Sequence, residues 1–164
     1  MYPKRIEPKP GQESVWDYPR PPRLEKFSKP IQIMFNGVEI VNTIRAFRVL
    51  ETTHPPVYYL PPDDIQMGHL VKAPGQSWCE WKGRGRYYSV QVGEKVATSV
   101  GWYYSNPAMA FKEIKDYVAF YAGPMERCTV DGEVVLPQPG DFYGGWITAN
   151  IVGPFKGGPG SMGW

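Results

Sequence analysis

Few groups in this chain could do chemistry. Two cysteines, Cys79 and Cys128, and two histidines, His54 and His69, are its whole supply of thiols and imidazoles. Cys79 lies in SWCEWKGRGRYY, close to Lys82, Arg84 and Arg86. Nearby cations lower a thiol pKa and raise its reactivity, which makes Cys79 a candidate nucleophile. The competing reading is a small buried strand residue, the usual place of a free cysteine. In a strand, side chains alternate, so Cys79 and Trp81 share one face and Trp78, Glu80 and Lys82 the other. Glu51 is the second catalytic candidate. It closes the apolar stretch AFRVLE, with Arg45 at the other end of that stretch. Glu51 and Glu80 serve as acid and base only if they share a cleft, and an ion pair or a solvated strand end competes with that role. His54 precedes Pro55-Pro56 in a turn and is expected to be exposed.

No motif assigns a reaction. Gly83-Arg84-Gly85 lacks the third glycine of a dinucleotide loop, and Gly157-Gly158 follows Lys156 instead of preceding a lysine. HExxH, GxSxG and EF-hand spacings are absent. Structural zinc sites draw ligands in close pairs, whereas Cys79 and Cys128 stand 49 residues apart. No metal and no cofactor is expected.

The positive signal is aromatic. Trp78, Trp81, Tyr87, Tyr88, Trp102, Tyr103 and Tyr104 crowd into 27 residues, interleaved with Lys82, Arg84 and Arg86. Rings with a few polar handles suit planar or cationic ligands through stacking and cation–π contact. A large aromatic core is the competing use. Adjacent pairs such as Tyr87-Tyr88 and Tyr103-Tyr104 point to opposite faces of a strand, which leaves one of each pair outside the core. The expected site is a cleft near the strand carrying Cys79, Trp81 and Lys82 and the following strand with Arg86 and Tyr88. Trp102, Tyr104 and Arg45 or Glu51 stand at its rim. Lys82 and Arg86 would hold an anionic group and Glu51 would orient a donor.

The elements that must position these residues are mostly strands. Val and Ile together outnumber Leu 24 to 5, and 24 of the 164 residues are aromatic; both biases favour strands. Asn36-Gly37, Gly93-Glu94 and Asp131-Gly132, each between apolar runs, predict three hairpins. Shorter strands are expected at 46–51, 57–60 and in SWCEWK. One helix is expected from Pro107 to about Tyr117, where Phe111, Ile114 and Val118 repeat at helical spacing and Ser105 or Asn106 can cap. A shorter turn of helix follows Pro61-Pro62. Composition divides this single domain into a Pro-rich N-terminal arm (1–30), a core (31–136) and a Gly-rich C-terminal arm packed on the core (137–164). The class is mainly β (α+β). A net charge of +2 is too small to argue for nucleic acid. No apolar run is long enough for a membrane span, and the expected address is the cytoplasm, as a monomer or homodimer.

The segments ESVWDYPRPPR, TIRAFRVLETTHPPVYYLPPDD, CEWKGRGRYYSV, WYYSNP, VDGEVVLPQPG, FYGGWIT and NIVGPFKGGPG together resemble domain-of-unknown-function family 427. The likeness spans nearly the whole chain. That family is sometimes labelled nucleotidyltransferase-like, although no phosphate-binding loop or acidic metal pair is present here. The resemblance implies a β-tent, two antiparallel sheets meeting at an angle. Its relatives include methionine sulfoxide reductases and an aromatic-cage ligand-binding domain. Many of them carry two CxxC zinc pairs, which this chain lacks. Together these readings favour a cytoplasmic protein that binds a small molecule in an aromatic cleft. The alternatives are an enzyme using Cys79 or Glu51, or nucleotidyltransferase-like as the label suggests, and an interaction module acting through the Pro-rich arm.

Overall fold

The computed structural model describes residues 3–140 and 142–164; Met1, Tyr2 and Asp141 lie outside the described residues. In chain order the first strands are β1 (Glu13–Ser14), β2 (Arg23–Phe27), β3 (Ile31–Phe35), β4 (Val38–Thr43) and β5 (Ala46–Leu50). Next come β6 (Val57–Tyr59), β7 (Leu70–Cys79), β8 (Gly83–Val92), β9 (Lys95–Tyr103) and β10 (Val118–Phe120). Five short strands follow: β11 (Arg127–Val130), β12 (Glu133–Val134), β13 (Leu136–Pro137), β14 (Trp146–Ile147) and β15 (Ile151–Val152).

The protein is mainly β, but these strands make five sheets where two were expected. Two are four-stranded and antiparallel, ordered β10-β9-β8-β7 and β12-β11-β3-β4, and β2-β5-β6 forms a third. The other two are two-residue ribbons, antiparallel β13-β14 and parallel β1-β15. The ribbons stay short because the chain around them is rich in Pro and Gly; Pro137 itself brings no amide donor to its ladder.

The three hairpins form as the turn residues require. Asn36 and Gly37 take φ of 46° and 80°, and Asp131 and Gly132 take 51° and 81°. Two successive positive φ values are what a type I′ turn needs. Gly93, at φ 60°, starts the β8–β9 turn. The main helix is shorter than expected and of another kind. It is a 3₁₀ segment, Met109–Ile114, broken at Phe111 (φ −119°, ψ 19°) and without a side-chain cap. Phe111 and Ile114 both point inward, and an i, i+3 pair lies on one face of a three-residue turn as well as of an α-helix. Val118, read as its next turn, begins β10 instead.

The β7–β10 sheet is covered on both faces. On one, Val90, Val100, Tyr103 and Phe120 pack with Ile31, Ile33, Phe35 and Val41 of β3 and β4, and with the fully buried Trp146. On the other, Tyr104 and Ala119 pack with Val49 and Tyr59 of β5 and β6 and with Phe111 and Ile114. A third cluster, Val15, Tyr18, Leu50 and Ile151, ties both ends of the chain together. Arg48 of β5 reinforces it by donating to Glu13 Oε1 at 2.7 Å and Glu25 Oε1 at 2.6 Å, while Tyr18 donates its hydroxyl to the same Glu13 oxygen at 2.7 Å.

Candidate functional site

The alternation expected for the paired tyrosines holds, and it decides which rings can share a site. Tyr87 of β8 sits opposite Trp102 of β9, while Arg86 sits opposite Tyr103 and Tyr88 opposite Gly101. Tyr87, Trp102 and Tyr104 therefore face β5 and β6, whereas Arg86, Tyr88 and Tyr103 face the other way. The first set lines a cavity of about 280 Å³ together with Glu51, His54, Tyr59, Cys79, Lys82, Tyr121, Gln138, Tyr143 and Lys156. Arg86 and Tyr88 line a different hollow, of about 620 Å³, with Lys72 and Asp116. There Tyr88 stacks on Tyr103 at 4.5 Å.

The residues expected in one cleft are thus divided. Cys79, Glu51, Lys82, Trp102 and Tyr104 come together, and Arg86 and Tyr88 lie across the sheet. Arg45 does not line the cavity; it donates to Asp64 Oδ1 at 2.6 Å instead. Trp81 packs against the cluster around Tyr104 and Phe111. The strand reading of SWCEWK also changes. β7 ends at Cys79, which pairs with Gly83 across a three-residue turn. Glu80, Trp81 and Lys82 form that turn, so strict alternation stops and Lys82 comes round to line the cavity beside Cys79. Gly83, at φ 107°, supplies a backbone conformation that L side chains rarely adopt.

Aromatic rings build the floor. Tyr59 is buried, and its hydroxyl accepts a bond from Trp102 Nε1 at 3.2 Å. Trp102 also tilts against Tyr121, with centroids 4.8 Å apart. Burial raises the Tyr59 and Tyr104 hydroxyl pKa values well above the ordinary tyrosine range, so both are neutral donors at physiological pH.

The polar handles are unequal. Lys82 is 9% exposed. Its Nζ lies 5.9 Å from the centre of the Tyr104 ring and 5.7 Å from that of Phe111. Among the described residues no carboxylate lies within 4 Å of it and no acceptor within hydrogen-bonding distance. Glu51, by contrast, is already engaged: its Oε2 accepts from Arg20 at 3.3 Å. Lys156 donates to the Trp164 carbonyl oxygen at 3.1 Å and lies over the Tyr143 ring at 5.6 Å.

His54 is not exposed, as its place in a turn suggested, but 92% buried, with 8% of its surface left to solvent. The C-terminal segment covers it: Tyr143 meets its ring edge-on at 4.6 Å and Gln138 lies 3.1 Å from Nδ1. That geometry fixes the imidazole tautomer. Gln138 Oε1 accepts from the Gly145 amide at 3.1 Å, and its Nε2 donates to the Lys156 carbonyl at 2.8 Å. Both backbone partners have fixed roles, so the amide can stand only one way round, and its second N–H donates to Nδ1. The His54 proton is then on Nε2, which lies 3.8 Å from Glu51 Oε2. Burial, helped by the positive charges of Lys156, Arg20 and Lys82, pushes the His54 pKa down to about 4. The ring is neutral at physiological pH, with one N–H donor.

His54, Gln138, Tyr143 and Lys156 were not among the expected site residues. One signal pointed to them: Gly144-Gly145 beside Tyr143 and Trp146, since adjacent glycines among rings mark close backbone approach. A Cβ on Gly144 would collide with the Trp102 indole, and one on Gly145 would lie 2.6 Å from the Pro55 carbonyl oxygen.

Among the described residues there is no cluster of three or more His, Cys, Asp or Glu able to hold a metal ion. No helix among them is long and apolar enough to cross a membrane. A family model described as Domain of unknown function (DUF427) matches residues 23–131. It covers β2 through the turn after β11 and leaves out the C-terminal residues that wall the cavity. No curated protein matches the chain.

Proposed function

This chain belongs to the DUF427 family, and on that premise we propose that it binds a small planar molecule in the aromatic cleft between β5–β6 and the β7–β9 face. One observation carries the reading. Tyr87, Trp102, Tyr104, Tyr121 and Tyr143 converge on one cavity with a buried lysine and a neutral imidazole. Rings used only as core filling would leave no such space and would not enclose a lysine. A cavity of about 280 Å³ is near the lower end of the ~300–1,000 Å³ typical of ligand sites, which suits a molecule of one or two rings. Two sheets supply facing walls, and this supports the β-tent reading of the fold.

A second reading is favoured by a specific juxtaposition. Cys79, Glu51 and His54 line the same cavity, so thiol or carboxylate chemistry on a bound molecule has its groups in place. The Pro-rich arm finds partners on the rest of this chain, with Trp16 Nε1 donating to the Pro154 carbonyl at 2.8 Å and Gln12 Nε2 to the Ala149 carbonyl at 3.1 Å, which gives the interaction-module reading no particular support.

The test is a fragment screen by thermal shift on the wild type, Trp102→Ala and Tyr88→Ala. Fragments that stabilise the wild type should still stabilise Tyr88→Ala and should lose their effect on a folded Trp102→Ala. Equal responses in all three proteins, or no responding fragment, would refute the reading.

A further inference from the structure

The charge pattern inside the cleft goes beyond the binding of some planar molecule. Two lysines and one glutamate line it: Lys82, Lys156 and Glu51. Glu51 is shared with Arg20 at 3.3 Å, and Lys156 has the Trp164 carbonyl at 3.1 Å. Lys82 has only ring faces near its ammonium, 5.7 and 5.9 Å to the centroids. Those distances are at the outer limit of a cation–π contact, which leaves its three N–H donors without an acceptor among the described residues. The Lys82 stem is enclosed while its ammonium opens toward the cleft, so a bound anion rather than a protein group is placed to pair with it. His54 adds a second donor. Its Nε2–H is set by the Gln138 amide, which is itself held by Gly145 and Lys156.

We infer that the cleft selects a planar carboxylate, with Lys82 as the counter-charge and the His54 Nε2–H as the orienting donor. The inference rests on the cleft being a binding site. An ammonium and an N–H donor lining one cavity suit an anion that accepts hydrogen bonds at its oxygens. A phosphate has more acceptor oxygens and charge than these two donors serve, and this chain has no backbone phosphate-loop motif to supply the rest. The ring system then lies against Trp102, Tyr87 and Tyr104, where stacking area is offered without further charge. A cationic ligand, which a plain aromatic cage would favour, is disfavoured by the two lysines.

The test uses three probes of one shape and different charge: naphthoate, naphthamide and naphthylmethylamine, titrated by calorimetry into the full chain at neutral pH. Naphthoate should bind at least about tenfold more tightly than the amide. Lys82→Met should abolish that preference while keeping affinity for the amide, and Lys82→Arg should retain it. Lys82→Met is expected to fold, because it keeps an apolar chain of similar length over the Tyr104 and Phe111 rings and removes no hydrogen bond or ion pair within the protein. His54→Phe should reduce naphthoate affinity and leave amide and carboxylate closer together. Should the amide or the amine bind as tightly as naphthoate, the carboxylate assignment is wrong while the cleft itself stands. Should none of the three bind, both readings fall.

Discussion

His54 offers the sharpest test of how the site is built. The perturbation is acid, applied to the wild type and to His54→Gln. In the unfolded chain the imidazole takes up a proton near 6.5, and in the folded protein only near about 4. Between those values the unfolded state binds one proton more than the folded state, so stability falls as pH falls. The contribution is complete above 6.5 and is lost progressively down to about 4. A difference from 6.5 to about 4 corresponds to about 3 kcal/mol. The physical sources are visible: 92% burial, a Gln138 amide that donates where a protonated ring would have to donate as well, and three cations around it. Glu51 at 3.8 Å is too far for a strong hydrogen bond that could offset them. Urea unfolding at a series of pH values gives the stability curve of each protein, and the difference between the curves removes the carboxylates common to both. The wild-type curve should fall more steeply than that of His54→Gln below 6.5, by a total of about 3 kcal/mol. Parallel curves, or an NMR titration placing His54 close to its ordinary value, would refute the buried, donor-locked imidazole.

Two further outcomes are expected. Trp146 is fully buried and donates from Nε1 to the Phe120 carbonyl at 2.9 Å; Trp146→Phe should cost about 2–4 kcal/mol in denaturant unfolding, from the orphaned carbonyl and the space left by the smaller ring. The two thiols should separate in a native labelling experiment, because Cys128 is buried with its pKa pushed up to about 12 while Cys79 is half-buried in the cleft. A disulfide reagent should count one reactive thiol in the folded protein and two in urea, and bound naphthoate should slow the first.

Much of the fold was legible in the sequence because local chemistry dictated it. Asn36-Gly37 and Asp131-Gly132 have few other uses than a tight turn, and the Tyr87-Tyr88 and Tyr103-Tyr104 pairs divide between two faces as the pleat demands. Glu80–Lys82 misled because nothing in Glu80-Trp81-Lys82 marks a turn; only Gly83 does, and it lies at the end. That one misplacement set Lys82 on the face opposite Cys79, although Lys82 was expected in the cleft, and it put Trp81 in the cleft as well. Arg45 and Glu51 were joined by their positions at the two ends of one strand, yet a five-residue strand carries its ends well apart. The burial of His54 had no local signal at all. It is imposed by Gln138, 84 residues away, and alternation or propensity does not report contacts of that range.

The wall of the cleft and the state of His54 depend on the same backbone contact. Gly144 and Gly145 lack side chains where the C-terminal segment meets β9 and the Pro55 turn, and a methyl group at either position would strike Trp102 or Pro55. Because they are bare, the segment can lie directly on the indole, and the Gly145 amide reaches Gln138 Oε1 at 3.1 Å. That bond orients the Gln138 amide, the amide orients His54, and His54 presents its single N–H beside Glu51. Separately, the three-residue turn after Cys79 delivers Lys82 to the same cavity. The aromatic floor is made by strands whose pattern is periodic. The two groups proposed to read ligand charge, Lys82 and His54, come from turns, and the far end of the chain orients His54 through Gln138. Stacking area is therefore a property of the sheet, and selectivity is a property of the segments that close over it.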